Sequence, residues 1–216
     1  MTSDENREWS PLSDDGDSWH PGTSAVSERI DSLLPADPET GVVVYDAFRI
    51  YLGGFIDLMG RHEQPLTLLT IAPDPSNTLR VLGSIGARLI ASAIARCLRQ
   101  ETRIYDVIGR GRTTGPYGAP AFHVALPMMT EEAAKSFAHR LREAMTISTA
   151  DVGRPWLTLS VGVASLSIET DTPELLIFRA QEALASAQRN GGDRIWSHTD
   201  TIRRIIDRDQ PHPSQE

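Results

Sequence analysis

The stretch YDVIGRGRTTGPYGAPAFHVALP, Tyr105 to Pro127, decides how this chain folds. Two apolar runs, Val107-Ile108 and Phe122-His123-Val124-Ala125-Leu126, flank a segment of Gly, Pro and Thr. Strand formers on either side of turn formers predict a β-hairpin with an oversized tip. Gly109, Gly111, Gly115 and Gly118 lie in that tip, with Arg110 and Arg112 between them. Backbone N–H groups and guanidiniums in such a loop suit an anion. The plainer alternative is a solvated turn.

Outward from the hairpin, apolar runs alternate in period. Leu66 to Ala72 has strand length and ends at Pro73 and Pro75. Leu79 to Leu98 carries Leu82, Ile85, Leu89, Ile90, Ala93, Ile94 and Cys97 at helical spacing. After the hairpin, Thr130 caps a helix from Glu131 to Met145, with Ala134, Phe137, Leu141 and Met145 along one stripe. Trp156 to Leu166 reads as a strand. Thr172-Pro173-Glu174 opens a helix closed by Asn190-Gly191-Gly192, and Arg194-Ile195-Trp196 forms a last short strand. The central order is βαββαβ, a ferredoxin-like arrangement of α+β class: an antiparallel-rich sheet with flanking helices.

Asp37-Pro38 predicts the cap and first turn of a further helix over about Val43 to Met59, weakened at Gly53-Gly54. Residues 1–22 are acidic and poor in apolar side chains, so a disordered tail is expected there. Val26, Ile30, Leu33 and Leu34 predict a short amphipathic helix within 23–36, suited to packing on the domain or pairing with a second copy. The domain itself spans 37–198, and 199–216 is expected as a tail in which Ile202 to Ile206 add one helical turn.

Composition excludes several classes. A net charge of −8 argues against nucleic-acid or membrane-surface binding. No run approaches the roughly 20 apolar residues of a membrane span, and residues 1–15 lack the basic and then apolar pattern of a secretory signal, so none is expected. The single cysteine, Cys97, allows no internal disulfide, so a cytoplasmic location and a buried, inert thiol are expected. The six histidines show no metal-ligand spacing, and Ser160 has no neighbouring triad pattern.

Five segments resemble, in order, the motifs of the GGDEF family, the diguanylate cyclases of bacterial signalling. Asp37-Pro38-Glu39-Thr40-Gly41 with Phe48 is similar to the family's opening motif. Asp106 and Arg110 resemble the pair before its signature hairpin, and Phe122 to Pro127 the strand after it. Ser160-Val161-Gly162-Val163-Ala164 and the run Ala180 to Gly191 complete the series. The resemblance implies a domain that handles GTP or cyclic di-GMP. Its signature turn corresponds here to Tyr117-Gly118-Ala119-Pro120-Ala121-Phe122, where Pro120 and Ala121 stand in place of acidic residues. The carboxylate that ends the first strand corresponds to Ala72, with Asp74 two residues on. Joining two GTP molecules needs magnesium held by carboxylates, so the resemblance with these substitutions implies a chain that is not an enzyme and has no metal or other cofactor.

The same resemblance implies a binding module. Arg103-Ile104-Tyr105-Asp106 matches the R-x-x-D motif of an inhibitory cyclic di-GMP site, with Arg103 on guanine or phosphate and Asp106 accepting from the guanine edge. Asp106 is equally explained by its pairing with Arg110. The alternative is a scaffold that binds no nucleotide and engages an unidentified protein partner or a second copy of itself; a residual diguanylate cyclase ranks last. Residues 111–116 form an apparent insertion, read as a lengthened tip because loop closure entropy grows slowly with length.

Overall fold

The computed structural model describes residues 29–75, 77–112, 120–150, 157–167 and 172–209. The expected tail over 1–22 and most of the expected helix from Thr23 lie outside these residues. Its described end is a 3-10 turn, Ile30–Leu33, after which Leu34 is extended. Proline at position 35 accounts for the stop, because it disfavours helix in the residue before it.

Five strands form one sheet: β1 (Leu66–Pro73), β2 (Val107–Arg110), β3 (Phe122–Pro127), β4 (Leu159–Ser165) and β5 (Ile195–Ser197). The order is β2-β3-β1-β4-β5. All neighbours are antiparallel except β4 and β5, which run parallel. The helices are α1 (Tyr45–Arg61), α2 (Asn77–Glu101), α3 (Glu131–Ala150), α4 (Pro173–Arg189) and α5 (His198–Asp209). The α+β class and the ferredoxin-like core are as the sequence predicts. Central strands covered by helices on both faces favour apolar side chains, and β1 and β3 are buried along their whole length, Thr67, Thr70 and His123 included.

Strand alternation sorts those side chains into two cores. Leu69, Ile71, Ile108, Val124, Val161 and Val163 pack with Ile90, Ile94 and Leu98 of α2 and Phe137 and Leu141 of α3. Leu66, Leu68, Val107 and Ala125 pack on the other face with Phe48, Leu52 and Ile56 of α1 and Leu176 and Ile177 of α4. Two glycines permit close approach on the second face. A Cβ at Gly162 would lie 2.0 Å from the Ala180 carbonyl oxygen of α4, and one at Gly109 would lie 2.3 Å from Phe48 Cγ.

Several boundaries differ from expectation. Asp37 does not begin a long helix. Its Oδ2 accepts from the Thr40 N–H at 2.9 Å and the Thr40 hydroxyl at 2.6 Å, and the Asp37 N–H reaches the Val42 carbonyl. The carboxylate therefore closes an isolated turn, and α1 starts at Tyr45, with Val44 as its cap residue. Val43 pairs with the edge strand β2: its N–H donates to Ile108 and its carbonyl accepts from Arg110. Segment 42–44 thus covers a sheet edge that would otherwise be open. The glycine pair leaves α1 continuous, and Gly53 lets Pro173 of α4 approach to 3.4 Å of a Cβ position.

Helix α2 is broken at Gly83 (φ 57°, ψ −153°). Its buried stripe is Ile90, Ala91, Ile94, Ala95 and Leu98, while Ile85 and Leu89 face solvent. Residues 199–209, expected within a tail, form most of α5. A reciprocal cap starts it: the Ser197 N–H donates to Asp200 Oδ2 and the Asp200 N–H to Ser197 Oγ. Lys135 of α3 then bonds Asp200 at 3.1 Å, and Thr199 donates to Glu131. Burial opposes the Asp200 charge, but the Ser197 hydrogen bonds and the Lys135 ammonium hold its pKa below the usual carboxylate value. No helix among the described residues is long and apolar enough to cross a membrane.

Candidate nucleotide-binding region

The hairpin forms as expected, and its register runs from Val107 opposite Ala125 to Arg110 opposite Phe122. It extends one pair further, with the Gly111 N–H donating to the Ala121 carbonyl at 2.8 Å. Pro120, Ala121 and Phe122 are buried at its base. Tyr117, Gly118 and Ala119, with residues 113–116 of the insertion, lie outside the described residues. Arg110 lies over the Phe122 ring at 5.0 Å, and Arg112 over the Tyr45 ring at 4.9 Å.

Ala72 and Ala121 correspond, by resemblance, to carboxylates, and the fold brings them together. With Leu184 of α4 they form a small buried cluster of their own. Methyl groups supply no metal ligand. Asp74 is engaged elsewhere: Ser160 Oγ donates to its Oδ1 at 2.5 Å, and the Asp193 N–H donates to its Oδ2 at 2.7 Å. It clamps the end of β1 to the turn before β5, and Gln188 adds a bond to the Pro73 carbonyl. These residues do not fit a magnesium ion, which needs a near-octahedral set of oxygens. Among the described residues, no group of three or more His, Cys, Asp and Glu is placed to hold a metal.

On the opposite side of the hairpin, before β2, residues 103–106 form a tight turn closed by the Asp106 N–H on the Arg103 carbonyl. Asp106 is 1% exposed. Its Oδ2 accepts from the Arg103 backbone N–H at 2.7 Å, and its Oδ1 is buried without a hydrogen-bond partner. Burial raises its pKa, against the Arg103 N–H and the charges of Arg103 and Arg29. The Arg103 side chain points the other way, to solvent. It donates to the Tyr105 hydroxyl at 3.0 Å and lies 5.8 Å from that ring's centre. The turn thus splits the two motif residues: an inward carboxylate fixes the backbone, and an outward guanidinium stands beside an exposed phenol and the exposed Ile104.

Sequence reasoning missed two contributors. Arg29 donates to the Thr102 and Asp106 carbonyls at 3.2 and 2.9 Å, fastening the turn from 73 and 77 residues away. Nothing local marks Arg29 for this role. Tyr105 lies inside the motif as a variable position, and its aromatic character was the available signal. His123 is fully buried, with Nδ1 2.9 Å from Thr70 Oγ1, its ring stacked on Phe48, and Nε2 unpartnered. Burial lowers its pKa to about 4, so it is neutral in the folded protein. Burial likewise raises the Cys97 thiol to about 11, leaving it protonated.

A five-stranded sheet in this order, with helices on both faces, defines a layered α+β domain. The family model for "Diguanylate cyclase, GGDEF domain" matches residues 85–194, and the chain belongs to that family. Diguanylate cyclase A of Treponema denticola is 24% identical over 143 residues, covering 65% of this chain and 37% of that protein. Diguanylate cyclase SiaD of Pseudomonas aeruginosa, solved in complex with its activator SiaC, is similar at TM-score 0.62 and 25% identity, over 75% of this chain and 61% of that one. The GGDEF domain of DgcB from Caulobacter crescentus, solved with c-di-GMP, has the same fold at TM-score 0.62 and 15% identity, over 76% and 92%. The chain therefore spans less than two thirds of the first two relatives. These matches correct the expectation of a chain that is not an enzyme: the family is enzymatic by description, and these relatives are named diguanylate cyclases.

Proposed function

We propose that this domain works in cyclic di-GMP signalling as a receptor that reads the dinucleotide at the Arg103 turn. One observation carries the proposal: Arg103 and Tyr105 stand together on an exposed turn whose backbone a buried Asp106 holds in place. A guanidinium forks onto phosphate or onto the O6/N7 edge of guanine, and a phenol ring offers a stacking face. Asp106 acts as a positioning residue, because its accepting oxygen is committed to the Arg103 N–H. The choice of ligand follows the DgcB domain solved with c-di-GMP. Occupancy would then pass to a protein partner, as the SiaD–SiaC complex exemplifies for a relative.

Calorimetric titration of the full chain with cyclic di-GMP tests this. Saturable heat is the expected result, and its absence sinks the receptor role. A second reading, diguanylate cyclase activity, is favoured by the family match itself. Incubation with GTP and magnesium checks it through accumulation of cyclic di-GMP. Ala72 and Ala121 offer that reaction no ligand, so no catalytic step is assigned to them.

A further inference from the structure

Away from the Arg103 turn, α4, β5 and α5 pack together. A pocket of about 310 Å³ opens there between Arg189, Asn190, Trp196, Thr201, Arg204 and Ile205. Its size falls at the lower end of small-molecule pockets, about 300 to 1,000 Å³. Ser186 completes the floor.

The charge in this pocket is unbalanced. No lining residue is acidic, and among the described residues neither Arg189 nor Arg204 forms an ion pair. The partner that each has among the described residues is neutral. Arg189 donates to Ser186 Oγ at 3.1 Å, and Arg204 donates to the Asn190 side-chain oxygen. Among the described residues, each guanidinium uses one of its five N–H donors in this way. In a chain of net charge −8, two arginines that converge on one pocket, with no ion pair among the described residues, favour an anion.

The remaining wall sets the rest of the ligand. Trp196 donates its indole N–H to Thr201 Oγ1 at 3.0 Å, which fixes the ring, and Arg204 lies 5.7 Å from the ring centre. Ile205 adds apolar surface. A fixed indole and an isoleucine beside two guanidiniums suit a flat ring that carries a phosphate. The capped start of α5 holds this arrangement through Ser197, Asp200 and Lys135.

We propose that this pocket binds a small phosphorylated ring compound of the nucleoside monophosphate class, separately from the Arg103 turn. The site uses none of Ala72, Ala121, Asp74 or Arg103. It stands or falls independently of the receptor role.

The test is calorimetric titration of the full chain with guanosine monophosphate, adenosine monophosphate and inorganic phosphate. At least one nucleotide should bind saturably, and more tightly than inorganic phosphate. Arg189→Gln and Arg204→Gln should each weaken that binding at least tenfold, while Arg61→Gln, at the exposed end of α1, should leave it unchanged. Circular dichroism establishes that each variant is folded. Failure of both nucleotides to bind the wild type overturns the proposal. So does equal affinity for inorganic phosphate, unchanged affinity in both pocket variants, or an equal loss in Arg61→Gln.

Discussion

The end of β1 and the turn before β2 are two regions where the resemblance puts acidic chemistry, and the chain treats them in opposite ways. At the end of β1, Ala72 and Ala121 stand where the resemblance puts carboxylates, and Leu184 packs against both. Asp74, the acid left nearby, bonds Ser160 and the Asp193 backbone. Before β2 the acid is kept, yet Asp106 turns inward to bond Arg103's N–H, while the guanidinium, Tyr105 and Ile104 face solvent. A carboxylate in a motif says nothing by itself about ligand contact. What matters is which polar groups already occupy its oxygens.

If the two regions differ in this way, variants at the packed end should cost stability and variants at the exposed turn should cost binding. The largest effect is expected from Gly162→Ala, where the added methyl meets α4 backbone. Thermal or denaturant unfolding should register a loss above about 4 kcal/mol, or no folded protein. Leu184→Ala should follow, at about 2 to 5 kcal/mol by the same measurement, because it opens a cavity over Ala72 and Ala121. Near wild-type stability in either variant would break the account of a tightly packed end.

Acid should act next, through His123. The folded protein keeps this imidazole neutral down to about pH 4, whereas the unfolded chain takes up its proton near 6.5. The unfolded state binds more protons between those values, so stability falls as pH drops from 6.5 to 4. The expected loss is about 3 kcal/mol. His123→Gln, compared with wild type by unfolding across that range, should show a shallower fall.

The smaller effects separate the two motif residues. Asp106→Ala should cost about 1 to 2 kcal/mol, since it removes a charge-assisted bond to the Arg103 N–H while also relieving the unpartnered Oδ1. Arg103→Ala should change stability by less than about 0.5 kcal/mol, because the side chain is exposed.

The fold was legible because period and punctuation agree along most of the chain. The apolar-rich strands, the Thr172-Pro173 cap and the stripe from Ala134 to Met145 each point to one element, and each forms. Asp37-Pro38 misled because an Asp can cap an isolated turn as readily as a helix. The length of α5 was hidden because its apolar residues Ile202, Ile205 and Ile206 stay exposed, although Ser197-x-x-Asp200 was a readable cap.

The candidate site was legible only as a list of positions. Sequence order brings Arg103 next to Asp106 but does not give the direction of either side chain. The Asp74 clamp depends on Ser160 and Asp193, 86 and 119 residues away, and only the closed sheet brings them together.

The central claim is that Arg103 contacts the ligand while Asp106 only shapes the turn. Parallel calorimetry of wild type and Arg103→Ala with cyclic di-GMP, with melting temperatures measured on the same samples, tests it most directly. The account predicts at least tenfold weaker binding in the variant at an unchanged melting temperature. Equal affinity in the two proteins would contradict it.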